Sequence, residues 1–113
     1  MKGIVVPGFK EASDYVKLYS DKLAKLTGFK PFPGTLNLEV EASELDKLPE
    51  GRYIRPEGKY GGARVIACSV FGIQSAIVIP DKTRHENVVE VIAPISLRDA
   101  FELKDGDEVG LDV

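Results

Sequence analysis

Along the 113-residue chain the spacing of apolar positions changes period several times. The run "GIVVPG" (3–8) is β-branched, stops at Pro7 and Gly8, and predicts a short strand. From Asp14 to Thr27 the apolar residues Tyr15, Leu18, Tyr19, Leu23 and Leu26 recur at helical spacing. Ser13 is the predicted N-cap of that helix and Gly28 its stop. This stripe reads as core packing rather than as a ligand surface. Residues 35–40, "TLNLEV", then switch to strict alternation, which predicts a half-buried strand. Polar residues dominate from Glu41 to Gly62, where "LPEG", "RPEG" and "YGG" signal turns and "RYI" is a candidate short strand. "ARVIACSVF" (63–71), "SAIVIP" (75–80) and "VVEVIAP" (88–94) are β-branched runs of strand length. "SLRDAFEL" (96–103) predicts a short helix capped by Ser96, with Asp99 where a capping box carries Glu. "KDGD" is a turn, and "EVGLDV" closes the chain as a strand.

About six strands and two short helices result, without a βαβ rhythm or a repeat at a solenoid period. The expected architecture is mainly β, a small closed or partly closed barrel whose helices cover its openings or fill a long connection. No linker divides the chain, so residues 1–113 are expected to form one domain.

Composition narrows the function classes. Hydrophobic content of 43% and charged content of 29% fit a folded chain. A net charge of −3 argues against a non-specific nucleic-acid binder. Cys68 and His85 are each the single residue of their type, which excludes an intrachain disulfide and a typical structural zinc site. No apolar segment approaches the roughly 20 residues of a membrane span, and no signal peptide opens the chain. A cytoplasmic monomer is the expectation, without nucleic-acid or membrane partners.

Candidate chemistry concentrates in four places. In "GFKPFPGTLNL" (28–38) a Pro-Gly loop delivers Thr35 and Asn37 to the start of a strand. Residues two apart on a strand lie about 6.6–6.8 Å apart on one face. Leu36, Leu38 and Val40 therefore face the core, while Thr35, Asn37 and Glu39 share the opposite face. That face is either simply solvated or a row of hard oxygen donors of the kind Mg²⁺ accepts. "GFKEAS" (8–13) joins a strand to a helix start, where backbone N–H groups can meet phosphate, although no phosphate-loop signature is present. Thr83, Arg84, His85 and Glu86 lie in a polar loop, and Glu90 interrupts an apolar run, either on a solvent face or placed to meet a ligand. Arg98 can bind phosphate through its guanidinium fork or pair with Asp99 or Glu102. His85 has no visible acid or nucleophile partner, so no triad is assigned.

Taken in order and spacing, "GFKPFPGTLNL", "AIVIP-x-x-T" and "EVIAPISLRD…LKDGDEV" resemble the archaeal CTP-dependent riboflavin kinases. The likeness runs from about Gly8 to the C-terminus, with "PGTLNL" and "EVIAPxxLR" its specific parts. It implies a six-stranded cradle-loop β-barrel and phosphoryl transfer from CTP to riboflavin, giving FMN and CDP. By the same resemblance Thr35 and Asn37 bind Mg²⁺. Gly8, Phe9, Lys10, Glu11, Ala12 and Ser13 form the first nucleotide segment, and Ile95, Ser96, Leu97 and Arg98 the second. Thr83 and Glu90 lie on the flavin side. The family carries three alternating glycines in the first segment; this chain keeps Gly8 and has Lys10 and Ala12 at the other two places, with Lys10 offering charge in place of close backbone approach. Glu90 and Glu39 are both candidate bases. Two other readings stand beside this one: a non-catalytic small barrel that binds flavin or nucleic acid, and a kinase-derived flavin binder that has lost turnover.

Overall fold

The computed structural model describes residues 1–8, 10–58, 61–81 and 87–113, and for residues 10 and 11 the backbone alone. In chain order the elements are β1 (Lys2–Val6), α1 (Lys10–Leu18), α2 (Ser20–Thr27), β2 (Leu36–Val40), α3 (Ala42–Asp46), β3 (Arg52–Ile54), β4 (Ala63–Val70), β5 (Ile73–Pro80), β6 (Val88–Ile92), α4 (Leu97–Ala100) and β7 (Glu108–Gly110). The strands form one antiparallel sheet in the order β3-β4-β5-β6-β2-β1-β7.

The chain is mainly β, as expected, but it has seven strands and four helices among the described residues rather than six and two. The extra strand is the "RYI" segment, which pairs with β4. The sheet is not closed by a strand ladder, since β3 and β7 stand at its ends. An isolated antiparallel bridge joins Ser69 in β4 to Asp112 beyond β7, through N–H···O bonds of 2.8 and 3.0 Å in both directions.

The expected long helix is two helices. Tyr19 interrupts it at φ −94° and ψ 11°, while the bonds from Tyr19 N to Tyr15 O (3.0 Å) and from Leu23 N to Tyr19 O (2.8 Å) carry the chain through the bend. Contacts of the Tyr19 side chain fasten that bend. The Tyr19 ring packs 4.6 Å from that of Tyr15, and its hydroxyl accepts the Glu57 N–H at 2.7 Å. The bend turns Leu18 outward, 46% exposed, and buries Val16 instead. The helix also starts earlier than expected, at Lys10, which puts Ser13 inside it. The Ser13 hydroxyl does not cap; it donates to Pro33 O at 3.3 Å. Gly28 does terminate α2, at φ 84° with its N–H on Ala24 O. Helix α3 escapes a periodicity search because it spans five residues, none of them fully buried. Leu45 at its end and Leu48 just beyond pack against the core.

The two faces of the sheet bury separate cores. One gathers Val5, Leu36, Leu38, Val40, Ile66, Cys68, Val70, Ile77, Val89, Val91, Leu97 and Val109. Six strands contribute to this single cluster, so the sheet curls around its own apolar face. The other face meets the helices through Tyr15, Val16, Tyr19, Leu23, Ile54, Val65, Ala76, Val78 and Ile92. Among the described residues no helix is long and apolar enough to cross a membrane.

Candidate functional site

Three strand ends converge on one end of the sheet. β1 leaves there, β2 enters and β6 leaves; Val6 stands opposite Asn37, and Asn37 opposite Glu90. The Pro-Gly loop is fastened across this end. Phe32 N bonds Ala93 O at 2.8 Å beyond β6, and Ser13 of α1 bonds Pro33 O. The loop therefore holds the first residues of β2 against two other segments.

On β2, Leu36, Leu38 and Val40 enter the core, as alternation predicts. Thr35 and Asn37 share the opposite face, but Asn37 is not solvated: it is only 4% exposed. Its Nδ2 donates to Thr35 Oγ1 at 3.2 Å and approaches Thr35 O at 3.4 Å. Gly8 packs against the same amide so closely that a Cβ there would lie 2.4 Å from Asn37 Nδ2. Glu39, next on this face, is exposed.

Glu90 joins the group from β6, opposite Asn37 and near enough to Thr35 for that hydroxyl to favour its ionised form. Burial raises the Glu90 pKa from an ordinary 4.5 to about 7, and the Thr35 hydroxyl offsets part of that rise. Tyr15 of α1 lies near enough to feel Glu90 and Asp81. Burial first, then the neighbouring Tyr19 and these carboxylates, push its phenol well above the usual range. Tyr53 donates a hydrogen bond to Asp81, and that bond raises the Tyr53 pKa. This acidic and phenolic surround went unread in the sequence. Tyr15 carries the periodicity of a core residue, and nothing in its spacing announces the carboxylates that the sheet sets beside it.

The second segment adjoins through Ala93. Ile95 is exposed, and the Ser96 hydroxyl caps α4 by accepting Asp99 N–H at 3.3 Å. Leu97 is a core residue, 3% exposed, so any ligand contact there falls to its backbone. Arg98 pairs with neither Asp99 nor Glu102; its Nη2 donates to Asp105 Oδ1. Ala12 is buried inside α1. Phe9, Thr83, Arg84, His85 and Glu86 lie outside the described residues, as do the side chains of Lys10 and Glu11.

What meets is thus Gly8, Thr35 and Asn37 in direct contact, with Glu90 opposite Asn37 on the neighbouring strand and with the start of α1 and the 93–98 segment fastened to the same loop. The chemistry available is a hydroxyl oxygen, a carboxamide oxygen and a carboxyl that titrates near neutrality. Among the described residues no three His, Cys, Asp or Glu side chains gather to hold a metal ion. A cation here would rely on Thr35 and Asn37. Their donor atoms suit it: both are hard oxygens, and rotating the Asn37 amide brings Oδ1 to the side where Nδ2 now meets Thr35. A separate cavity of about 330 Å³ lies beside the end of α2, lined in part by Leu26, Arg52, Val65 and Gln74. None of the sequence-assigned site residues lines it.

Comparison with known proteins adds a lineage to this geometry. A family model described as CTP-dep_RFKase, domain of unknown function DUF120, matches residues 5–113. A riboflavin kinase of Thermococcus kodakarensis is 38% identical over 120 residues, covering 98% of this chain and 57% of that protein. One from Archaeoglobus fulgidus is 39% identical over 125 residues, covering all of this chain and 54% of the relative. One from Methanopyrus kandleri is 37% identical, with 98% of this chain and 80% of the relative covered. The chain therefore spans little more than half the length of several of these relatives.

Proposed function

This chain belongs to the CTP-dependent riboflavin kinase domain family, and from that premise we propose that it transfers the γ-phosphoryl group of CTP to the ribityl 5′-hydroxyl of riboflavin, giving FMN and CDP. The observation that carries the reading is the hydrogen bond from Asn37 to Thr35, held against Gly8 at the end of the sheet with Glu90 opposite Asn37 on β6. On this reading the chain is one domain, and its sheet is a cradle-loop barrel completed by the Ser69–Asp112 bridge.

Thr35 and Asn37 are the proposed holders of a divalent cation, Mg²⁺, which when bound neutralises charge on the nucleotide phosphates. The remaining work belongs to the protein's own groups. The first turn of α1 offers backbone N–H groups and the positive end of a helix to phosphate. Arg98 adds a permanent positive charge on the second segment. Glu90 holds the riboflavin side, and its carboxyl is the proposed acceptor of the ribityl hydroxyl proton. Its pKa of about 7 suits proton transfer near neutral pH. Glu39, the other candidate base, is exposed to solvent and has less claim to the role. Positioning and electrostatics supply most of the acceleration in reactions of this kind. The choice of cytosine over adenine is carried from the family; no residue described in the site announces it.

The test is incubation of the protein with riboflavin, Mg²⁺ and either CTP or ATP, followed by chromatography for FMN. FMN formed with CTP is expected. Flavin bound without turnover with either nucleotide would leave a binding protein in place of the kinase. The Asn37→Ala variant is expected to lose turnover by roughly a hundredfold or more while still binding riboflavin. Unchanged turnover in that variant would remove Asn37 from the cation site.

A further inference from the structure

The "KDGD" turn reads in the sequence as a connector between α4 and β7, yet it touches Arg98 of the second proposed nucleotide segment and the strand that leads into the first. Arg98 Nη2 donates to Asp105 Oδ1 at the apex of this turn. The turn is closed by Asp107 N on Lys104 O at 3.0 Å, and by Lys104 N on Asp107 Oδ2 at 2.7 Å. Gly106 takes a left-handed φ of 94°, which leaves the apex to Asp105. A third bond, Leu103 N to Arg98 O at 2.9 Å, ties α4 to the start of the turn.

The same turn is stitched to β1. Gly106 N bonds Val5 O at 2.8 Å, and Val5 N bonds Asp107 O at 2.8 Å. Val5 lies three residues before Gly8, whose backbone rests on Asn37. The position of Asp105 is therefore set by the strand that delivers the first segment, while its carboxylate holds the guanidinium of the second.

The pair is poorly placed to stabilise the fold. The two side chains are 42% and 54% exposed, and exposed ion pairs contribute little. Arginine on a four-residue helix has many rotamers to lose, so a fixed carboxylate beside it acts mainly on its orientation. Contact through one Nη nitrogen leaves other N–H edges of the fork for a phosphate.

We infer that Asp105 is a positioning residue: it holds Arg98 in the orientation that receives the nucleotide phosphates, and registers it to the Gly8 segment through the turn's bonds to Val5. This rests on the kinase reading above. No bond that closes the turn involves the Asp105 side chain, so Asp105→Ala leaves the turn intact.

The experiment is steady-state kinetics with CTP and riboflavin, with direct CTP binding in the presence of Mg²⁺, on wild type, D105A, R98A and the double variant. D105A is expected to raise the KM for CTP about three- to tenfold, as fits the loss of one pre-ordered side chain. Its kcat and its KM for riboflavin are expected to stay within about twofold of wild type, because the residue touches neither the reacting atoms nor the flavin. In the R98A background D105A is expected to change nothing further. D105N, which keeps an oxygen in place without the charge, is expected to fall between wild type and D105A, and serves if D105A folds poorly. An unchanged KM for CTP in an active D105A enzyme would overturn the inference while sparing the kinase reading. So would an equal effect of D105A with and without Arg98. A wild type that neither binds nor uses CTP would bring down the kinase reading itself, and this inference with it.

Discussion

Replacing Glu90 with glutamine removes a charge from a place where burial opposes it and keeps the size and shape of the side chain. The native carboxyl titrates at about 7 against an ordinary 4.5. At about 1.36 kcal/mol per pH unit, that difference corresponds to a free energy on the order of 3 kcal/mol. The direction follows from where the proton prefers to be. Below pH 4.5 the carboxyl is neutral in both the folded and the unfolded chain, and wild type carries no penalty. Between pH 4.5 and about 7 the unfolded chain ionises while the folded one still holds its proton, so wild-type stability falls as pH rises. Above about pH 7 both states are ionised and the penalty levels off. The glutamine side chain does not titrate, so E90Q is expected to match wild type near pH 4 and to exceed it by about 2–3 kcal/mol at pH 8. Urea unfolding of both proteins at half-unit steps from about pH 4 to 8.5 measures this directly, and the difference between them cancels the other titrating groups. Parallel stability curves across that range would show that the carboxyl is not desolvated, and the proposed base would lose its physical support.

Two further outcomes follow from contacts elsewhere. Gly8→Ala drives a Cβ to 2.4 Å from an Asn37 amide that is itself buried and bonded; a loss of about 1–3 kcal/mol in unfolding free energy is expected, with a larger proportional loss of CTP turnover than of riboflavin binding. Tyr19→Phe keeps the ring against Tyr15 but deprives the Glu57 N–H of its acceptor at 2.7 Å. It is expected to cost about 1–2 kcal/mol in chemical denaturation, and a variant as stable as wild type would show that the segment around Glu57 is held by other contacts.

Local pattern carried a good deal of this protein. Strict alternation in "TLNLEV" assigned Leu36, Leu38 and Val40 to the core, and put Thr35 and Asn37 together on the other face. Gly28 ended its helix and Ser96 capped the last one, because left-handed backbone and an exposed N–H are needs that one residue meets by itself. The family resemblance, too, was legible in short stretches. What depends on register was not. Asn37 lies opposite Glu90 only because β2 pairs with β6 in one alignment, and burial then moves the Glu90 carboxyl toward neutrality. The bend at Tyr19 is accompanied by a hydroxyl that reaches Glu57, 38 residues away. The same holds for Asp105, which a local reading leaves in a turn and the fold brings to Arg98. Periodicity reports which way a residue faces; which groups meet across strands, and how far water is excluded from them, is decided by long-range pairing that no local window contains.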